Sequence, residues 1–264
     1  MRTRYLSAVT CAILAWAPWA VRAQSSADRK LADNSKFVNL KRSDEQKDWP
    51  PKGPAPRTAD GKIDLSGAWA PNAIRQNVDM LATGVKVPFQ PWAEKLYRER
   101  KGSDSKDDPE ARCMPPGVPR MTTTPYPFRI MQTPKLILIV YEGGAHVWRQ
   151  IFMDGRLHQK DPNPSWLGDS IGHWEGDTLV IDTIGFNGKA WIDQSGLPTT
   201  ESLHVIERIS RPDLGHLVYE STVDDPKAYT QPWTFTTHPV MLKGELMEYI
   251  CQENNKDVQH LFGK

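Results

Sequence analysis

The chain is poor in cysteine. Three occur in 264 residues, too few for a disulfide-dense scaffold, and none sits in a Cys-x-x-Cys pair of the zinc or redox type. It lacks a nucleotide-binding glycine loop, a flavin fingerprint and the His-Glu-x-x-His helix of zinc hydrolases. It also lacks an excess of charge. Lys and Arg number 33 against 32 Asp and Glu, giving a formal net charge of +1, and the interspersed signs argue against a nucleic-acid or anionic-membrane surface. No alternation of helical and strand periodicity runs along the chain, which excludes a parallel α/β architecture.

What is present begins at the N-terminus. Arg2 and Arg4 precede an apolar run from Leu6 to Val21, and Val21-Arg22-Ala23 closes it before Gln24. That order of charged, apolar and small-residue regions is a secretory signal, so residues 1–23 are expected to be removed and the protein to work in the periplasm or outside the cell. A membrane anchor is the competing reading, but the run falls short of the roughly 18–20 residues of a span and Pro18 interrupts it. Loss of Arg2, Arg4 and Arg22 takes the formal charge to −2. Cys11 leaves with the signal, so Cys113 and Cys251 remain as an even pair. In an oxidising compartment they are expected to form a disulfide, worth on the order of 4 kcal/mol of chain entropy; two buried thiols are the alternative. An exported protein has no ready supply of ATP or NAD, and no cofactor is expected.

From Gln24 to Asp60 the chain is polar and then proline-rich, with Trp49-Pro50-Pro51-Lys52-Gly53-Pro54-Ala55-Pro56, which reads as a flexible arm. Residues 61–264 read as one β domain. Asp64-Leu65-Ser66-Gly67-Ala68-Trp69 suits an opening strand whose Trp69 plugs the base of a barrel. Pro91 to Lys101 suits a short helix. Strands are expected at Phe128–Thr133, Lys135–Tyr141, His146–Met153, Ser170–Glu175, Thr178–Ile184, Leu203–Ser210, His216–Val223, Gln231–Thr237 and Glu245–Gln252. With the opening strand these make about ten, spaced as in an antiparallel up-and-down barrel or a sandwich. Gly176-Asp177 supplies a two-residue hairpin turn.

The run Trp166-Leu167-Gly168-Asp169-Ser170-Ile171-Gly172-His173-Trp174-Glu175-Gly176-Asp177-Thr178-Leu179-Val180-Ile181-Asp182-Thr183-Ile184-Gly185-Phe186-Asn187 resembles the signature of a family of secreted bacterial proteins abundant in acidobacteria and proteobacteria. Asp64 to Trp69, Cys113 to Pro119, Leu203 to Arg208 and Cys251 to Asn254 share in the likeness. The resemblance implies a secreted lipocalin-like barrel and assigns no catalytic residues.

Gly168-Asp169-Ser170-Ile171-Gly172 fits the G-x-S-x-G nucleophile elbow, but that elbow needs a strand-to-helix turn, and a β-hairpin follows here. Hairpin geometry offers a better set. If Glu175 pairs with Thr178, His173 faces Val180 and Ile171 faces Asp182, so His173, Glu175 and Asp182 share one face opposite Trp174, Leu179 and Ile181. That polar face meets either solvent or a barrel lumen. Two further strands mix polar and apolar groups: His146, Trp148 and Gln150 alternate with Arg149 and Ile151, and His204 and Arg208 with Glu207. Converging, they would give an aromatic-walled lumen with a few directed polar groups, the usual make-up of a small-molecule site.

Within that set His173 is the expected general base, Asp182 its orienting carboxylate, and Arg149 or Arg208 the stabiliser of developing negative charge, with His146 and His204 as further candidates. Trp166, Trp191 and Trp148, with Asn187 and Asp193, are candidates for substrate contact; turn chemistry and core burial are their plainer uses. His173-x-Glu175 with His146, His158 or His204 lacks the spacing of a metal site, and none is expected. The expected function is cofactor-independent acid–base chemistry, of lyase or hydrolase type, on a glycoside or aromatic small molecule. The alternatives are a binding protein for an apolar or aromatic ligand and, third, a structural module. No nucleic-acid partner and no stable membrane insertion are expected.

Overall fold

The computed structural model of the chain describes residues 48–144 and 147–253. The expected signal peptide, the arm up to residue 47 and His146 lie outside those residues.

Ten strands form one sheet: β1 (Gly67–Ala70), β2 (Phe128–Gln132), β3 (Leu136–Tyr141), β4 (Trp148–Phe152), β5 (Asp169–Glu175), β6 (Thr178–Ile184), β7 (His204–Ser210), β8 (Val218–Asp224), β9 (Trp233–Thr237) and β10 (Val240–Met241). Sheet order follows chain order except that β10 lies beyond β1. The chain is therefore all-β and barrel-like, as the spacing of short strands predicts. Closure comes from β10. It pairs with β1 through Trp69 and Met241, while Leu217 N donates to Pro239 O at 2.9 Å and Met241 N to Gly215 O at 2.8 Å, so β10 bridges β1 and the lead-in to β8. One junction is not antiparallel. β4 and β5 run parallel, Ile151 opposite Ser170 and Phe152 opposite Ile171, because the long connection 153–168 returns the chain to the end from which β4 started.

Period-two alternation sets the inside. Ile137, Ile139 and Tyr141 of β3, Leu179 and Ile181 of β6, and Ile209 of β7 are buried around Trp69 in one cluster. Trp69 is fully buried in this cluster, with Arg211 over its ring at 4.9 Å. A second cluster lies where helices α1 (Ile74–Val78) and α2 (Pro91–Gly102) and the loops cross one end; it joins Met80, Ala93, Tyr97, Phe186, Ile192 and Trp233. Pro91 opens α2, where its missing N–H is no loss.

Three expectations are corrected. Residues 48–60 lie against the barrel: Trp49 Nε1 donates to Met241 O at 2.6 Å, Leu214 N to Gly53 O at 2.9 Å, and Arg57 grips both oxygens of Asp177. Proline removes donors but leaves carbonyls and side chains that can bond sideways. The expected strand at Glu245–Gln252 does not form; there the backbone bonds a side chain instead of a ladder, Met247 N donating to Glu142 Oε2 at 2.8 Å. The disulfide joins Cys113 to Cys251 across 138 residues, but its second half-cystine lies in a turn, not in a last strand.

Candidate functional site

The polar residues singled out in the sequence fall into three separate places. Inside the barrel, Arg149 points inward with Ile151 because both occupy the buried phase of β4. Its Nε donates to Ser170 Oγ at 2.9 Å and its Nη2 to Thr183 Oγ1 at 2.6 Å and to Glu207 Oε2. Tyr219 Oη donates to the other Glu207 oxygen at 2.7 Å. Burial opposes the charge on Arg149, but the charge and hydrogen bond of Glu207 hold its pKa above the ordinary value. Burial pushes Tyr141, beside them, up to about 12. These residues fill the interior; Ser170 is a ligand of Arg149 here, with no helix behind it to make a nucleophile elbow. Among the described residues the lumen site expected from converging mixed faces is not formed.

The second place is the outer face of β5, β6 and β7. The β5–β6 hairpin takes the expected register, Glu175 opposite Thr178 through Asp169 opposite Ile184, and its polar phase faces outward. His173 does not meet Asp182. They lie two rungs apart, a spacing near 7 Å along a strand, and the His173 ring, 61% exposed, turns to Glu175 at 3.3 Å. Arg208 Nη2 reaches the other Glu175 oxygen at 2.8 Å, which draws the Glu175 carboxyl below its usual range. Arg208 therefore belongs to an exposed pair, and Arg149, in the buried phase of β4, lies on the opposite face from His173.

Asp182 has other partners. Its Oδ1 stands 2.8 Å from His204 Nε2 and 3.0 Å from His158 Nε2, and His158 Nδ1 stands 3.0 Å from Asp169 Oδ2. The four groups form a hydrogen-bonded series: Asp169, His158, Asp182, His204. Strand register brings Asp182 and His204 together from β6 and β7, and the connection 153–168 carries His158 back over them. Each ring nitrogen of His158 thus faces a carboxylate oxygen, and the ring is held from both sides. His204 spends Nε2 on Asp182, which fixes the tautomer that leaves Nδ1 as the basic nitrogen. Among the described residues no group of three or more His, Cys, Asp or Glu is arranged to hold a metal ion; these side chains face one another rather than a common centre. A groove of about 390 Å³ opens beside the series, lined by His204, Asp161, Pro162, Phe186, Glu201 and Leu203 among others.

The third place is the loop-covered end. Asp193 is fully buried and accepts from Met80 N at 2.8 Å, Gly196 N at 2.9 Å and Leu197 N at 3.1 Å; burial pushes its carboxyl up to about 6. Trp191 is buried under the Arg100 guanidinium at 4.3 Å. Asn187 accepts from Lys189 N at 3.0 Å, the turn use of asparagine. These three hold loops and are not gathered around a ligand space. Trp166 is half-buried, and Trp148 stands 56% exposed on the outside of β4. A pocket of about 400 Å³ at this end is lined by Asp108, Glu110, Tyr126, Tyr249 and the disulfide. Behind it the buried Arg120 bonds Asp108 at 2.8 and 2.7 Å and Glu110 at 2.7 Å. Burial outweighs that cation at Glu110 and raises its pKa.

Sequence reasoning named Asp182, Arg149 and His204 but missed Glu207 and Asp169 and gave His158 no role beyond a metal ligand. Alternation was the available signal for Glu207, which shares a phase with Val205 and Ile209. His158 lies in an aperiodic loop and carried none. Comparison of the chain with family models, curated proteins and solved structures returned no match.

Proposed function

We propose that the protein is exported and acts on a small molecule by cofactor-independent acid–base chemistry, with His204 as the proton-transferring group and Asp182 as its positioning carboxylate. The observation that carries this reading is the 2.8 Å contact of His204 Nε2 with Asp182 at the edge of a groove. A carboxylate so placed orients the imidazole and stabilises its cation. In an elimination, Nδ1 takes the proton beside a carbonyl, the C–H electrons form the new double bond, and the leaving group departs with its bonding pair and receives the proton back. Export is supported by the N-terminal pattern and by the disulfide.

The test is conversion of a metabolite extract by wild type, His204→Gln, Asp182→Asn and His173→Ala. The first two variants should lose turnover by about 10²–10⁴-fold, the usual contribution of a positioned acid or base, while His173→Ala should match wild type. Unimpaired turnover in His204→Gln would overturn the assignment.

One observation favours a second reading. The pocket walled by Tyr126 and Tyr249, ring centroids 4.9 Å apart, suits a non-catalytic site for an aromatic ligand. Chemical shifts confined to these tyrosines on ligand addition, with no conversion of the ligand, would support it.

A further inference from the structure

We propose that the barrel interior contains a sealed water site in the layer of Arg149 and Glu207, where water accepts from Arg149 Nη1 and donates to Tyr141 Oη and Ser221 Oγ. The inward phases of the strands turn from apolar to polar at one level. On β7, Glu207 separates Val205 of one hydrophobic cluster from Ile209 of the other, and on β8 Ser221 separates Val223 from Tyr219 in the same way. Glu207 and Ser221 face each other across the β7–β8 ladder. Arg149, Ser170 and Thr183 extend the layer through the hydrogen bonds of the guanidinium. Tyr141 joins it from β3, where it shares the buried phase with Ile137 and Ile139.

Among the described residues, Arg149 Nη1, Tyr141 Oη and Ser221 Oγ find no hydrogen-bond partner, although their residues are 2%, 2% and 0% exposed. The guanidinium spends Nε and Nη2 on Ser170, Thr183 and Glu207, which leaves Nη1 with both of its N–H donors. Burial raises the pKa of the Tyr141 hydroxyl and the charge of Arg149 pulls it back, so the two groups stand close without bonding. A buried donor that lacks an acceptor costs the desolvation of that group. Ordered water removes the cost in native interiors, and a buried water takes about three hydrogen bonds. The chemistry favours water over an ion. Arg149 and Glu207 neutralise each other, so an added anion or cation would be buried without a counter-charge. A guanidinium that only donates and hydroxyls that also accept are served together by a neutral molecule that does both. Tyr141 and Ser221 lie on β3 and β8, which do not pair in the sheet, so the water braces the barrel across its interior.

The experiment is oxygen-17 relaxation dispersion on the full chain, which reports long-lived water and is blind to exchanging hydroxyl protons. Wild type is compared with a Tyr141→Phe, Ser221→Ala double variant, which keeps the shape of the layer and removes two of the three partners. The variant should lose the contribution of at least one long-lived water molecule. Equal dispersion from the two proteins overturns the inference. A high-resolution crystal structure of wild type tests the same site without a substitution. An ordered oxygen is expected at about 2.7–3.2 Å from Arg149 Nη1 and from at least one of the two hydroxyl oxygens. Two results there overturn the inference: the three groups closing directly on protein partners with no such oxygen between them, or density for an ion or a larger molecule in its place.

Discussion

Arg149 and Glu207 meet inside the barrel although their strands, β4 and β7, are separated in the sheet by β5 and β6. The guanidinium spans Ser170 and Thr183 to reach the carboxylate, and the two side chains are 1% and 0% exposed. Removing one partner strands a buried charge, so Arg149→Ala or Glu207→Ala should each cost about 3–5 kcal/mol in urea unfolding. Arg149→Met with Glu207→Leu should recover most of that loss, since an apolar pair of similar volume asks for no compensation. A single variant within about 1 kcal/mol of wild type would show that the pair is not the organising contact of the core.

Asp193 should make stability depend on pH. Its carboxyl is raised by burial to about 6, above the roughly 3.9 of an unfolded chain. A raised carboxyl favours the folded state in its protonated form. The stabilisation is complete below about pH 4 and is lost as pH rises through 6, an effect of at most about 3 kcal/mol. Unfolding free energies of Asp193→Asn should therefore fall less steeply than wild type between those pH values. Glu110, raised in the same direction, should leave a residual slope; an unchanged slope in the variant would count against the burial of Asp193.

The disulfide closes a long segment, its half-cystines 138 positions apart in the sequence. Cys251→Ser should lower stability by on the order of 4 kcal/mol through the wider unfolded ensemble. It should also loosen the contact of Tyr126 with Tyr249, visible as sharper tyrosine ring signals. Equal melting of oxidised and reduced wild type would contradict the first expectation.

His173 and His204 separate surface chemistry from site chemistry. His173→Ala should shift stability by no more than about 0.5 kcal/mol, as expected for an exposed residue outside special features. Asp182→Asn should alter the imidazole signals of both His158 and His204 and leave that of His173 in place. Matched perturbation of all three rings would argue for a different arrangement of the outer face.

The sequence was most informative where local chemistry and alternation agreed. Gly176-Asp177 and the period-two pattern around it predicted the register of β5 on β6 residue by residue, because a two-residue turn leaves no freedom in pairing. It was least informative where partners arrive from afar. Which histidine Asp182 would hold depended on how the 153–168 connection returns, and nothing periodic in that loop reports it. The direction of Arg149 was ambiguous for another reason. β3, with leucine and valine on one face and isoleucine on the other, marks no clear inside, so its neighbour β4 had no reference from which to be oriented. The lumen proposal failed for the same cause: a polar phase was legible, its side of the sheet was not.

The parallel junction between β4 and β5 divides the sheet into two antiparallel meanders, β1 to β4 and β5 to β9. Within each, strands pair with the next in chain order, and the two share two short ladders, the β4–β5 seam and the β10–β1 closure, besides the buried contact of Arg149 with Glu207. Local pairing lets β2 to β4 and β5 to β9 organise early, while the long-range ladders, β1 on β2 among them, wait on loop closure. The chain is thus built as two halves with a mortise at either side, and the connection 153–168 is where it could be cut. Fragments divided there would retain the complete set of edges needed to find one another again.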